Sequence, residues 1–265
     1  MRIDLILAHF DEFVFEVEPA LSSFRKYFPE TRVVLYTDDK THSYPKGVDE
    51  VREVVPPYER DHPRYGWRAS DLYRGVGLLE SDADLAIYID SDMLCCSERI
   101  RTIVPLTMKF GLCLVANPRL LVLHDTLVGN DSDRELDETE GCGFAYNSGF
   151  ISFNPKSGPA REYLEAYTRL MYEFPVRGPL QCWRAAMETG ISPHLLPFQW
   201  GVCAEHLAVG DEIILHVGHR TVQEYYVEKR PLAYLRLRAL WGKLRRKSRS
   251  WRRRLWNPEG KSVDG

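Results

Sequence analysis

The stretch LAIYIDSDMLC, residues 85–95, constrains the fold more than any other part of the chain. Its first five residues form an unbroken apolar run of strand length, as expected for a strand buried on both faces. Such a strand requires other elements packed above and below it. The run then ends in two carboxylates, Asp90 and Asp92. Side chains i and i+2 of a strand point to one side, so the pair is expected to aim at a common point with Ser91 turned away. Two like charges at one point repel unless a cation lies between them. Carboxylate oxygens suit Mg²⁺ or Mn²⁺, which keep open positions for water and substrate phosphates. A DxD also occurs in ordinary solvated turns, so its place at the end of a buried strand is what gives it weight.

The flanking sequence supplies the layers. IDLILAHF (3–10), TRVVLYTDD (31–39), VREVVPP (51–57), FGLCLVAN (110–117), GFISFN (149–154) and EIILH (212–216) read as further strands. A helical pattern follows the first strand to about Tyr27. Residues 66–80 read as a helix with Leu72, Val76 and Leu79 on one face, and 159–174 as another. A third starts at Gly178, with Pro179 suited to its first turn and Gly190 to its end. Strands alternating with helices predict an α/β fold, a largely parallel sheet flanked by helices. In such sheets ligands bind beyond the carboxyl ends of the strands, where Asp90 and Asp92 stand.

His216 closes the last apolar strand, and Gly218, His219 and Arg220 follow it. A neutral imidazole is a ligand for Mn²⁺, glycine lets the backbone approach a phosphate, and arginine can hold its charge. A hydrogen-bonded core histidine and a surface arginine are the plain alternatives. Together with Asp90 and Asp92 the set reads as a site for a metal and a diphosphate.

Three segments, in order, resemble the GT-A glycosyltransferases, and most of all the family-eight retaining enzymes, the group of glycogenin and the bacterial lipopolysaccharide galactosyl- and glucosyltransferases. SDLYRGVGLLESDADLAIYIDSDMLC resembles that family's helix, strand and DxD; YNSGFISFN resembles its NSG strand; GPLQCWRAAMETGISPHLLPFQWGV followed by ILHVGHR resembles its closing section. The resemblance spans roughly residues 3 to 220. It implies a GT-A fold in which Asp90, Asp92 and His216 hold Mn²⁺ (or Mg²⁺) with the diphosphate of a nucleotide sugar. It further implies that Arg74, Asp90, Asn147, Ser148 and Gln181 hold the donor sugar. Ala8 and His9 fall where the family's first strand meets the nucleotide, usually uridine, and Gly218 and Arg220 fall beside the phosphates. The sequence departs from the family at Leu180, where an aspartate usually precedes the glutamine, and at Phe10, where an acidic residue often meets the uracil and an aromatic ring can stack instead.

Charge divides the chain in two. Twelve Lys or Arg and no acidic residue lie between Lys229 and Arg254; without them 23 basic residues face 38 acidic ones, and the body carries about −15. An acidic body argues against general nucleic-acid binding. We therefore divide the chain into a catalytic domain, 1–230, and a basic tail, 231–265. Within the tail Leu237, Trp241, Leu244, Ser248, Trp251 and Leu255 recur at four-three spacing among ten Lys or Arg, as in a helix lying on an anionic membrane. A solvated charged helix and a nucleic-acid arm are the alternatives.

The six cysteines show no CxxC pair, which predicts mostly buried free thiols. The charged N-terminus predicts no signal peptide, and no apolar run of about 18 residues occurs. The expected protein is thus a cytoplasmic hexosyltransferase at the inner face of the membrane, acting on a glycan or lipid-linked acceptor such as lipopolysaccharide core. The acidic stretch 124–141 is expected to be a solvated loop or a lid. A sugar nucleotidyltransferase is the rival enzyme class, disfavoured because LAHFDEF lacks a glycine-rich phosphate loop. A nucleotide-sugar-binding protein without turnover is the non-catalytic alternative, and Leu180 keeps it open.

Overall fold

The apolar run at 85–89 is strand β4 (Leu85–Ile89), and all five of its residues are completely buried. The computed structural model describes residues 1–10, 17–41, 43–116, 146–175, 178–203 and 211–216, together with Leu237 and Trp241. β4 lies at the centre of a seven-stranded sheet with β1 (Ile3–Ala8), β2 (Arg32–Thr37), β3 (Glu50–Glu53), β6 (Leu112–Ala116), β7 (Tyr146–Phe153) and β8 (His194–Leu196). The order is β3-β2-β1-β4-β7-β6-β8. β1 pairs in parallel with β2 and β4, β2 with β3, and β6 with β8, whereas β7 runs antiparallel to both β4 and β6. The sheet is therefore mixed and mostly parallel, as the alternation of strands and helices predicts.

Alternate residues of the central strands feed two separate cores. Leu5, Leu7, Ile87 and Ile89 pack under α1 (Val17–Arg25) and α3 (Ile103–Phe110) through Val17, Leu21, Phe24 and Ile103. Ile6, Ala8 and Tyr88 pack on the other face, under α2 (Tyr65–Glu80), α4 (Gly158–Glu173) and α5 (Gly178–Thr189). Each fully buried Leu, Ile or Phe side chain contributes about 1.5–3 kcal/mol of transfer free energy. Helix α4 starts where the Ser157 side chain accepts the Ala160 N–H, with Pro159 in its first turn.

Three features differ from the sequence expectation. β4 stops at Ile89, so Asp90 and Asp92 lie in a turn rather than on a strand, and the Met93 N–H donates to the Asp90 carbonyl at 3.1 Å. The chain then re-enters a strand, β5 (Met93–Cys95), in a second sheet of three strands. In that sheet β10 (Ile214–His216) lies between β5 and β9 (Val202–Cys203), antiparallel to the first and parallel to the second. The segment 212–216 thus belongs to this small sheet, not to the main one, and only its last three residues are strand.

Cys95, Cys113 and Cys182 are buried free thiols and Cys96 is an exposed one. Burial pushes the Cys113 thiol up to about 11 and the Cys182 thiol to about 12, so neither is poised as a nucleophile. Among the described residues no helix is long and apolar enough to cross a membrane. Gly218, Arg220, the stretch 124–141 and the boundary at 230/231 lie outside the described residues. Of the tail, Leu237 and Trp241 are described; both are helical and exposed.

Candidate metal centre

Two pairings bring distant segments to the end of β4. Because β7 is antiparallel to β4, its amino end lies beside the carboxyl end of β4, and the Asp90 N–H donates to the Gly149 carbonyl at 2.8 Å. That places Asn147, Ser148 and Gly149 next to the carboxylate turn. Because β10 is antiparallel to β5, His216 sits in register with Met93, one residue beyond Asp92. The result is a cluster in which Asp90, Asp92 and His216 each offer one ligand atom, all within 4.8 Å of one another. The His216 Nε2 stands 3.3 Å from Asp92 Oδ1 and 3.7 Å from Asp90 Oδ2.

The surrounding groups orient these three side chains. Tyr88, on β4 two residues before Asp90, donates its hydroxyl to Asp90 Oδ1 at 2.6 Å. The Arg74 Nη2 approaches the same oxygen at 3.3 Å, and its guanidinium lies 4.7 Å from the centre of the Tyr88 ring. Oδ1 is thereby anchored and Oδ2 is left facing the imidazole. The Asn147 Nδ2 stands 3.2 Å from His216 Nδ1, and the Asn147 Oδ1 accepts the Gly149 N–H at 3.0 Å. His216 thus turns Nε2 to the carboxylates, while its Nδ1 lies beside the Asn147 amide nitrogen. Gly149 is required here by space: a Cβ would run into Asp90 Oδ2 and come within 2.6 Å of Met93 Cε and 3.0 Å of His216 Cε1.

Electrostatics match the geometry. Burial alone would lower the His216 pKa, but the adjacent Asp92 carboxylate, and then Asp90, outweigh it and raise the imidazole to about 9. Without an ion the two carboxylates therefore hold a proton on His216 in place of a cation. Arg74 is buried. Burial disfavours its charge, yet Asp71, Tyr88 and Asp90 keep it protonated, well above the ordinary arginine value. Among the described residues its Nε and Nη1 are buried without a hydrogen-bond partner. Burial and the neighbouring Asp90 raise the Tyr88 hydroxyl well above its usual pKa, so it acts as a donor throughout.

The other residues singled out from sequence divide into two groups. Ala8 and His9 are buried at the carboxyl end of β1; the His9 N–H donates to the Tyr36 carbonyl at 2.9 Å and its ring meets the Tyr44 ring edge-on. Ser148 is buried beside Asp71 and Gly178: a Cβ on Gly178 would come within 2.8 Å of Ser148 Oγ and 2.7 Å of Asp71 Oδ1. Gln181 has a structural task instead. It is completely buried, and its Nε2 donates to the Leu170 carbonyl at 3.2 Å and to the Phe174 carbonyl, closing the carboxyl end of α4. Neither Phe10 nor Leu180 offers an exposed face; Phe10 packs against Tyr73 with ring centres 5.3 Å apart, and Leu180 is buried in α5.

Tyr88 and Asp71 are the two site residues that the sequence reading missed. Both carried a signal. Tyr88 precedes Asp90 by two on a strand, which puts them on one side. Asp71 precedes Arg74 by three on a helix, which makes them neighbours.

No protein-family model matches the chain, and no curated protein is significantly similar to it. The fold and the site by themselves define an α/β protein with a candidate divalent-cation centre at the carboxyl end of its central strand. Two carboxylates and an imidazole fit a hard or borderline divalent cation such as Mn²⁺ or Mg²⁺.

Proposed function

We propose that the chain is a metal-dependent glycosyltransferase of the GT-A kind, moving a hexose from a nucleotide sugar, UDP-linked by resemblance, to a hydroxyl acceptor. The observation that supports this most is the convergence of Asp90, Asp92 and His216 from two sheets onto one point beyond β4. In glycosyl transfer the bond between an anomeric carbon and a diphosphate breaks, and negative charge grows on the departing phosphate. A cation held by the three residues supplies Lewis-acid stabilisation of that charge, so the leaving group needs no proton.

The chain's own groups then have distinct tasks. Asp90 Oδ2, Asp92 Oδ1 and His216 Nε2 bind the ion. Arg74 fixes Asp90 and directs a buried positive charge toward the donor. Asn147 sets the imidazole ring, and Ser148, whose hydroxyl lies beside the start of α5, would meet the sugar. Ala8 and His9 form the floor at the end of β1, where the nucleoside would lie. Gln181 uses its amide nitrogen to hold α4, and its Oε1, buried without a partner among the described residues, stays a donor contact by resemblance alone. Gly218 and Arg220 remain phosphate contacts by resemblance alone.

Thermal shift with UDP, with and without Mn²⁺, tests this reading. UDP together with Mn²⁺ is expected to raise the melting temperature by several degrees, each alone by much less. UDP release from a UDP-hexose panel then identifies turnover. Stabilisation by UDP that ignores the metal contradicts the reading. Consumption of UTP and a sugar phosphate, with pyrophosphate formed, would assign the nucleotidyltransferase class instead.

The tail supports a membrane-surface location and hence a lipid-linked acceptor. Leu237 and Trp241 are four residues apart in sequence, both helical and both exposed, as a lipid-facing pair would be. Truncation after residue 231 is expected to leave UDP release intact and to abolish sedimentation with anionic liposomes; unchanged sedimentation removes the membrane assignment.

A further inference from the structure

Asp71 is a carboxylate with no part in binding the ion, yet it is tied to the centre. Its side chain is 12% exposed, and its Oδ2 accepts the Gly178 N–H at 2.8 Å, at the start of α5. Its Oδ1 pairs with Arg74 Nη2, the same nitrogen that lies 3.3 Å from Asp90 Oδ1. The Tyr167 hydroxyl donates to the Asp71 carbonyl at 2.8 Å, which fixes the turn of α2 that carries it. One arginine nitrogen is therefore shared between a metal ligand on one side and Asp71 on the other.

We propose that Asp71 is a positioning residue that sets the charge of the metal centre through Arg74. With His216 neutral, as a metal ligand must be, Asp71, Asp90 and Asp92 against Arg74 leave a net charge equal and opposite to that of a divalent cation. Arg74 is 4% exposed, and in so dry a position an uncompensated charge acts strongly on its neighbours. Freed of Asp71, Arg74 would oppose the cation and draw the nucleotide's diphosphate. The carboxylate at 71 thus favours loading of the ion ahead of the nucleotide. This rests on the metal reading above and deepens it.

The test measures binding on the full-length protein and needs no turnover. Mn²⁺ affinity is read from the electron paramagnetic resonance signal of the free ion, and UDP affinity by calorimetry in the presence of a chelator. Asp71→Asn keeps the side chain's size and an oxygen that accepts the Gly178 N–H, and it turns an amide N–H₂ to Arg74 Nη2, which breaks the ion pair. It is expected to weaken Mn²⁺ about tenfold and to tighten metal-free UDP by a similar factor, opposite signs that loss of packing cannot produce. Arg74→Gln reverses both changes, and the double variant returns Mn²⁺ affinity to near that of the unmodified chain. Unchanged Mn²⁺ affinity in Asp71→Asn, or Mn²⁺ and UDP affinities falling together, overturns the proposal. Where Asp71→Asn does not fold, Arg74→Gln decides, and Mn²⁺ binding that fails to tighten overturns it. Failure of the unmodified protein to bind Mn²⁺ appears before any substitution and removes the metal reading itself.

Discussion

Asp92→Ala is expected to lower Mn²⁺-dependent UDP release by two to three orders of magnitude while leaving the unfolding free energy of the metal-free protein above pH 9, where His216 has lost its proton, within about 1 kcal/mol of the parent. The two effects separate because of where Asp92 stands. It lies in the turn between β4 and β5, outside both hydrophobic cores, and its carboxylate meets His216 Nε2 at 3.3 Å. Removing it deletes one of three ligands and relieves like-charge repulsion against Asp90, so the metal-free fold loses little once His216 is neutral; at lower pH it also loses the pairing of Asp92 with the His216 imidazolium. The catalytic effect follows from charge on the leaving diphosphate, which the ion stabilises by several kcal/mol. Steady-state UDP release across a range of Mn²⁺ concentrations measures it. A rate within a few-fold of the parent at every Mn²⁺ concentration would remove Asp92 from the reaction.

The pH dependence of stability is the second large effect, and its sign depends on the metal. In the metal-free protein His216 has a pKa of about 9, above the imidazole value of 6.5, because Asp92 and Asp90 outweigh its burial. The folded state thus holds the proton more tightly than the unfolded chain. The resulting stabilisation is fully present below pH 6.5 and is lost as pH rises through about 9, an effect of about 2–3 kcal/mol. Urea unfolding in the presence of a chelator should show that loss, and His216→Gln should flatten it, which separates His216 from other titrating groups. Saturating Mn²⁺ should turn the trend around over the same range, because the ion takes the neutral imidazole and displaces the proton. An unchanged slope in His216→Gln would contradict the assignment.

Much of this was readable from residue order, and the exceptions have physical causes. The run at 85–89 announces a doubly buried strand because nothing in it is charged and its one polar side-chain group is the Tyr88 hydroxyl, and β4 is that strand. Helices α2, α4 and α5 carry enough turns for their periodicity to show. The second sheet does not: β5, β9 and β10 have three, two and three residues, too few to display an alternation. Yet β10 against β5 is what carries His216 to Asp92. Helix α3 hides behind Pro105, which reads as a helix breaker. It is tolerated in the first turn, where its missing N–H would have had no partner within the helix. The reversal of β7, which lays Asn147 to Gly149 against Asp90, is a choice of neighbour that no local pattern encodes. The part Gln181 plays in the fold was hidden for a similar reason. Its helix was legible, but the face it presents depends on where α4 ends, and Phe174 and Leu170 claim its amide. The departure at Leu180 keeps its weight, because that side chain is buried and the first turn of α5 offers no carboxylate of its own; an acidic group held there from another helix is Asp71.

The central claim is one divalent ion shared by Asp90, Asp92 and His216. Anomalous diffraction from a crystal grown with Mn²⁺ and UDP addresses it without assuming any activity. The expected result is a single manganese peak within bonding distance of Asp90 Oδ2, Asp92 Oδ1 and His216 Nε2, with diphosphate oxygens completing its coordination. A manganese peak elsewhere, or bound UDP with no ion between these three side chains, would contradict it.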